Sequence, residues 1–159
     1  MRENDFIVSK TDLAGRIIYC NEIFIEMSGY SEAELLGAQQ NLVRHPDMPR
    51  GLFKLLWNTI KSGQEFFAYI KNLSKDGSFY WVFANVTPDF DADHNQVGYF
   101  SVRRKPKAGA VEAMSGLYAA MLEEERKAGT RDAAAASLAW LENTLRQRGE
   151  TYERFVLSL

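Results

Sequence analysis

The chain has 159 residues, of which 46% are hydrophobic and 25% charged, and this composition is typical of one globular domain of ordinary size with an appendage. Its net charge of −2 gives no electrostatic footprint for nucleic acid, so we expect no nucleic-acid partner. The single cysteine, Cys20, excludes an intrachain disulfide, and there is no apolar run of the length needed for a membrane span or a secretion signal, so we expect a cytoplasmic protein.

The first part of the chain alternates short apolar runs with turns. Residues 6–8 and 16–19 are predicted to be two strands joined by a tight turn. A short helix is predicted over residues 21–27, where apolar side chains follow the helical period. Ser31 and Glu34 have the spacing of a capping box, which predicts the start of another helix.

The middle of the chain predicts one clear helix and three further strands. Residues 49–63 begin with proline, carry an apolar stripe at helical spacing and end with glycine. Residues 66–73 and 79–86 read as strands joined by an Asp-Gly hairpin turn, and residues 97–103 read as the last strand. Hairpin connections favour an antiparallel sheet with the helices gathered on one face. The predicted fold class is therefore α+β, with five antiparallel strands and a small-molecule site between the sheet and the short helices.

The composition becomes purely helical after residue 105. We therefore predict a domain over residues 1–106 and a helical extension over residues 107–159, interrupted at Gly129. Apolar stripes over residues 114–122 and 138–145 provide two faces for packing. These faces either fold back on the open face of the sheet or form a homodimer that passes a signal on.

Residues 44–49 carry a cation, an imidazole and a carboxylate within four positions of an aromatic-rich domain. Such groups need partners if they turn inward, and a polar ligand is one candidate partner. A plainer interpretation is also open, in which Asp47 caps the following helix, Arg44 pairs with it at the surface, and His45 is solvated. Asn21 likewise has the position of a helix cap.

Several short motifs together resemble the PAS sensory domains of bacterial aerotaxis receptors. They occur in the family's order over about two-thirds of the chain. The matching strings are Asn21 with Phe24, Ser28-Gly29-Tyr30, the hexad Arg44–Pro49, Phe53 with Leu56-Trp57, Lys71-Asn72, Asp76-Gly77, Tyr80-Trp81-Val82 and Gly98–Arg103. The resemblance implies a PAS fold, and within this subgroup it implies non-covalent binding of FAD and sensing of redox state or oxygen.

The resemblance also implies which residues bind the cofactor. Arg44, His45 and Asp47 match positions that the family associates with FAD, and Asn21, Trp57 and Asn72 match pocket positions. A flavin needs a flat apolar slot together with polar groups for its carbonyl edge and its pyrophosphate. Arg44 and Asn72 suit the polar part, because a guanidinium binds phosphate or carbonyl oxygens and a carboxamide both donates and accepts. The side chains that we predict for the walls of the slot are Phe24, Phe53, Trp57, Phe66 and Trp81.

The function that we expect is sensing by bound FAD, without catalytic turnover, and transfer of the signal through the C-terminal helices to an unidentified signalling protein or a second copy of the chain. Two alternatives stay open: a cofactor-free PAS module that binds only protein, and a haem sensor. Haem requires an axial ligand, and His45 and His94 are the candidates. A flavin–cysteine photoadduct, as in blue-light PAS relatives, is not expected, because Asn41 is followed by Leu42 and Cys20 ends a strand.

Overall fold

The computed structural model describes residues 1–159 and contains one five-stranded antiparallel sheet, as predicted. The strands are β1 (Ile7–Asp12), β2 (Ile17–Cys20), β3 (Phe66–Leu73), β4 (Phe79–Phe90) and β5 (Gln96–Arg104). Their order in the sheet is β2-β1-β5-β4-β3, so the first and last strands of the sheet domain pair at its centre. This order makes β5 the central strand, with hydrogen-bonded neighbours along both of its edges.

The helices lie in two groups, one before β3 and one after β5. The bounds are α1 (Glu22–Ser28), α2 (Glu32–Leu35), α3 (Arg50–Lys61), α4 (Ala108–Gln147) and α5 (Tyr152–Ser158), with a 3-10 turn at Gln40–Val43. The predicted capping box is present, because Ser31 accepts from the backbone of Glu34 while the Glu34 side chain accepts from the backbone of Ser31. No helix combines the length and the apolar character that crossing a bilayer requires.

Strand β4 is four residues longer than the sequence pattern predicts, because it continues through Pro88 to Phe90. Proline donates no hydrogen bond and is rarely tolerated inside a sheet. Here β3 pairs with β4 only as far as Val86, so Pro88 lies where β4 has a single neighbour. The proline is therefore at a local edge, and the strand does not end there.

The C-terminal helices pack on the domain through a shared hydrophobic core that includes Met114 and Leu141. Helix α4 lies mainly against α3, and α5 lies against β3. The buried hydroxyl of Tyr118 donates to the backbone carbonyl of Tyr69 in β3 at 2.7 Å. Of the two predicted arrangements, the structure of the single chain has the helices folded back, chiefly on α3 and β3. The domain limits, residues 1–106 and 107–159, stay predictions. The role of the C-terminal helices in signal output or dimerisation also stays a prediction.

Two glycines shape this packing. Gly129 (φ 75°, ψ 167°) breaks α4 into two helical halves, in a backbone region that only glycine adopts readily. Gly51, in the first turn of α3, allows close approach of the second half of α4, because a Cβ there would lie 2.6 Å from the backbone nitrogen of Leu138 and closer still to the Ser137 hydroxyl. The backbone N–H of Gly51 donates to the Glu125 carboxylate and to the Ser137 hydroxyl, both at 3.1 Å. The start of α3 is thus capped by side chains of α4.

Candidate functional site

A cavity lies between the sheet and the helical layer formed by the 3-10 turn and α3. The cavity has a volume of about 120 Å³ and is partly open to solvent. Its apolar wall combines one face of α3 with side chains of the turn and the sheet. These residues are Val43, Phe53, Leu56, Trp57, Ile60, Ile70, Val86 and Tyr99. Gly15 borders the cavity, and a Cβ there would lie 3.1 Å from the Trp57 ring. The side of the cavity at Gly15 is therefore filled by an aromatic ring at van der Waals distance.

The cavity also has a polar wall, contributed by the turn and by the inward faces of the strands. Its members are Thr11, Gln40, Asn41, Arg44, Asn72, Ser101 and Arg103. Asn72 is 4% exposed, and the hydroxyl of Tyr80, opposite it on β4, is buried without a hydrogen-bond partner. Burial raises the pKa of Tyr80, so this phenol is a neutral potential donor at physiological pH. A buried polar side chain such as Asn72 on the wall of an apolar cavity is a feature of a site for a ligand with both apolar and polar groups.

Arg44 reaches the cavity from the end of the 3-10 turn. Its Nη2 donates to the Met48 carbonyl at 3.0 Å, and its Cζ lies 4.0 Å from the centroid of the Phe53 ring. Burial lowers the pKa of Arg44, although the nearby Glu125 carboxylate opposes this effect. The guanidinium is thus fixed over an aromatic wall, with further N–H groups available for an oxygen-rich ligand.

The hexad divides between the two sides of β3. Arg44 forms an isolated antiparallel bridge with Asn72, and the backbone N–H of His45 donates to the Lys71 carbonyl at 3.3 Å. Because neighbouring residues of an extended segment point to opposite sides, Arg44 enters the cavity and His45 does not. The hexad therefore adds a single bridge to the edge strand β3, and only its first residue lines the cavity.

His45 and Asp47 contact the outer side of β3. The Asp47 carboxylate accepts from Lys71 at 2.6 Å, which lowers the pKa of Asp47. Partial burial, reinforced by the Lys71 charge, lowers the pKa of His45, whose Nδ1 accepts from the Asp47 backbone at 3.1 Å. The His45 ring packs edge-on against Phe79. Both side chains thus have protein partners, and the FAD contacts implied by the resemblance stay predictions.

Four other predicted residues also lie outside the lining of the cavity. Asn21 caps α1 by accepting from Phe24, and it also accepts from the backbone of Val8 and donates to the carbonyl of Phe6. Phe24 is completely buried. Phe66 and Trp81 contact the C-terminal helices: Phe66 stacks on Tyr152 at 5.1 Å, and Trp81 on Tyr118 at 6.3 Å.

Register explains why Trp81 is not a wall of the cavity. Trp81 pairs with Lys71, so its side chain is on the sheet face opposite to that of Asn72. Phe66 does share the face of Asn72, but it lies at the far end of β3. The structure therefore brings together four of the predicted site residues at the cavity: Arg44, Phe53, Trp57 and Asn72.

Sequence reasoning missed much of the polar wall, Arg103 above all. The available signal was the two-residue period of a strand, because Tyr99, Ser101 and Arg103 hold alternate positions of β5 and therefore share the side that lines the cavity. Gln40 and Asn41 are on the 3-10 turn, which the sequence pattern does not predict. Cys20 is buried outside the cavity lining, and neither His45 nor His94 is part of that lining.

The sheet order, the helical layer and the cavity between them define a sensor-type domain, and the chain belongs to the PAS fold family, whose model matches residues 17–103. The aerotaxis receptor of Escherichia coli strain K12 is 36% identical over 121 residues, which are 76% of this chain and 24% of the receptor. The nitrogen fixation regulatory protein of Klebsiella oxytoca is 30% identical over 97 residues, which are 61% of this chain and 20% of that protein. The chain thus spans a quarter or less of the length of these two relatives.

Solved structures give the same fold. A light-oxygen-voltage domain studied with a flavin analogue superposes with a TM-score of 0.60 at 22% identity, covering 78% of this chain and 87% of that one. At this level of identity the likeness concerns the fold, and the predicted PAS architecture is confirmed.

Proposed function

We propose that this PAS domain binds FAD non-covalently in the cavity and senses redox state or oxygen supply. The observation that carries the proposal is the cavity itself, in which an apolar, partly aromatic wall faces buried polar groups. The resemblance to aerotaxis-receptor PAS domains and the 36% identity to a protein named as an aerotaxis receptor support the same ligand class and the same kind of signal.

The side chains at the cavity fit a flavin. In this proposal Phe53 and Trp57 contact the flat ring, since both line the apolar wall beside Leu56. Asn72 hydrogen-bonds the polar edge, because its carboxamide both donates and accepts. Arg44 binds phosphate or carbonyl oxygen as a charged donor. When bound, the flavin supplies reversible uptake of electrons and a proton, which changes the hydrogen bonds that its edge accepts and donates.

The route of the signal follows from the contacts of α3. Its first turn carries Phe53 at the cavity, and Gly51, two residues earlier, donates to Glu125 and Ser137 of α4. A displacement of Phe53 or Arg44 at the ligand therefore acts on the contact between α3 and the C-terminal helices. Strand β5, which leads directly into α4, is the second connection. The receiver that we propose is a second copy of the chain or another signalling protein in the cytoplasm.

The absorbance of the purified protein tests the ligand. We expect a yellow protein with an absorption band at about 450 nm. Denaturation should release all of the FAD and leave none attached covalently to the chain. A protein that stays colourless after refolding with FAD would support the cofactor-free alternative and refute the proposal. A Soret band would support the haem alternative.

Two substitutions locate the site. Arg44→Gln removes a charge-assisted donor, and we expect at least about tenfold weaker FAD binding, because such a hydrogen bond contributes about 1.5–3 kcal/mol. The control is Arg50→Gln, since Arg50 is exposed and donates to the Thr130 carbonyl of α4. Equal FAD affinity in the two variants would contradict the proposed role of Arg44.

Anaerobic reduction tests the relay. If reduction changes the contact between α3 and α4, backbone amides of residues 108–147 should exchange at a different rate in the oxidised and reduced proteins. Identical exchange in both states would count against signalling through these helices, even if FAD is bound.

A further inference from the structure

Arg103 is a buried cation near the end of the central strand β5, on the wall of the cavity. It pairs with Ile7 of β1 and Ala84 of β4, and it is 4% exposed. Its Nε donates to the Ser101 hydroxyl at 3.0 Å, and its Nη2 donates to the Ser9 hydroxyl. Its Cζ lies 4.7 Å from the centroid of the Phe24 ring. The guanidinium is therefore held firmly, but by neutral groups.

The charge of Arg103 has no carboxylate partner. None of the ion pairs in the structure includes Arg103. Burial lowers its pKa to about 10, so the group is still charged at neutral pH. Buried charges are normally paired, because removing an ion from water without compensation is costly. A cationic cavity wall in this state is complementary to a ligand that carries, or acquires, negative charge.

Two of the five guanidinium N–H groups donate to serine hydroxyls. The other three have no hydrogen-bond partner in the protein, and Arg103 lines the cavity. The titratable group whose charge acts on the pKa of Arg103 is Tyr80, which raises it, against the larger effect of burial. No acidic residue is among the lining residues, so negative charge there must come from a ligand.

We propose that Arg103 binds the electron-rich edge of the bound flavin and favours its reduced form. This inference rests on the proposed function. Full reduction takes two electrons from a soluble reductant and one proton from water, which leaves the ring with one more negative charge than before. A fixed cation that is itself buried stabilises that charge more than it stabilises the neutral oxidised ring.

Redox titration of the flavin-loaded protein tests the proposal. We expect Arg103→Gln to lower the ratio of reduced to oxidised flavin at a fixed potential by at least about tenfold, equivalent to about 30 mV for a two-electron couple. Arg103→Lys keeps the positive charge, so the reduction potential of its flavin should stay close to that of the wild type. The matched control is Arg104→Gln on the same strand, because Arg104 is exposed and its Cζ lies over the Phe83 ring, 5.0 Å from its centroid. This control should leave the potential unchanged.

The affinity of each variant for oxidised and for reduced flavin is measured separately, so that a loss of flavin is still informative. If Arg103→Gln weakens both affinities equally, or leaves the potential unchanged, Arg103 has only a packing role and the inference is overturned. If Arg103→Gln does not fold, Arg103→His replaces it, since a buried imidazole is neutral at about pH 8. A wild-type protein that binds no flavin refutes the proposed function itself, which is a different outcome.

Discussion

The contact between α3 and α4 provides a direct test of how the C-terminal helices are held. In Gly51→Ala the new methyl group would lie 2.6 Å from the Leu138 nitrogen, and it would overlap the Ser137 hydroxyl. Ordinary contacts between such atoms are about 3.5 Å or longer, so the helices must separate by about 1 Å. Overpacking of this kind costs about 1–3 kcal/mol.

Two smaller effects accompany this cost. Alanine has a higher helix propensity than glycine, which is worth at most about 1 kcal/mol and less in a first turn. Separation also weakens the hydrogen bonds from the Gly51 N–H to Glu125 and Ser137, each worth about 1 kcal/mol. These two effects roughly cancel, so the overpacking cost decides the sign. We expect a net destabilisation of about 1–3 kcal/mol, or a fall in Tm of roughly 3–10 °C for a chain of this size.

Thermal unfolding followed by circular dichroism measures this effect, and amide exchange locates it. The control is Gly116→Ala, because Gly116 is inside the first half of α4 and a Cβ there meets nothing within 4 Å. That change should stabilise the protein by about 0.5–1 kcal/mol. The packing argument is wrong if Gly51→Ala is as stable as the wild type, or if residues 130–147 exchange no faster in it.

Two further substitutions test single interactions. Tyr118→Phe removes the donor to the buried Tyr69 carbonyl. We expect the free energy of unfolding, measured in urea, to fall by about 1–2 kcal/mol. An unchanged midpoint would show that this hydrogen bond makes no net contribution to stability. Glu34→Gln tests pH dependence, because hydrogen bonds from Lys75 and Ser31 lower the pKa of Glu34 from 4.5 to about 2. A carboxylate whose pKa is lower in the folded state stabilises the protein above its unfolded pKa and loses this effect as pH falls through its folded pKa. The urea midpoints of wild type and Glu34→Gln should therefore differ at neutral pH and converge between about pH 4.5 and 2; a constant difference would refute the assignment.

The fold was predictable from the sequence because its elements carry strong local signals. The Asp-Gly turn after β3, the capping box at Ser31 and the proline before α3 each mark a boundary by its own backbone chemistry. The end of β4 was predicted wrongly because it carries no such local signal. Whether Pro88 ends a strand depends on how many neighbours the strand has at that point, which is set by the lengths of the strands around it.

The site was predictable only in part, because the orientation of a side chain depends on pairing. The bridge between Arg44 and Asn72 directs Arg44 into the cavity and leaves His45 and Asp47 outside, with Lys71. Composition alone cannot separate these residues of one hexad. The surface on which the C-terminal helices pack was not predictable either, because an apolar stripe can be buried against its own domain or against a partner.

The break at Gly129 means that one residue decides whether α4 is bent or straight. Rotation of its φ and ψ angles into the helical range would join both halves of α4 into a continuous rod of forty residues, about 60 Å long. Such a rod would project beyond the domain and expose the side chains that now cover α3. The bent form is stable only while this contact offsets the preference of the backbone for a straight helix, so any residue with a side chain at this position would shift the balance towards the extended shape.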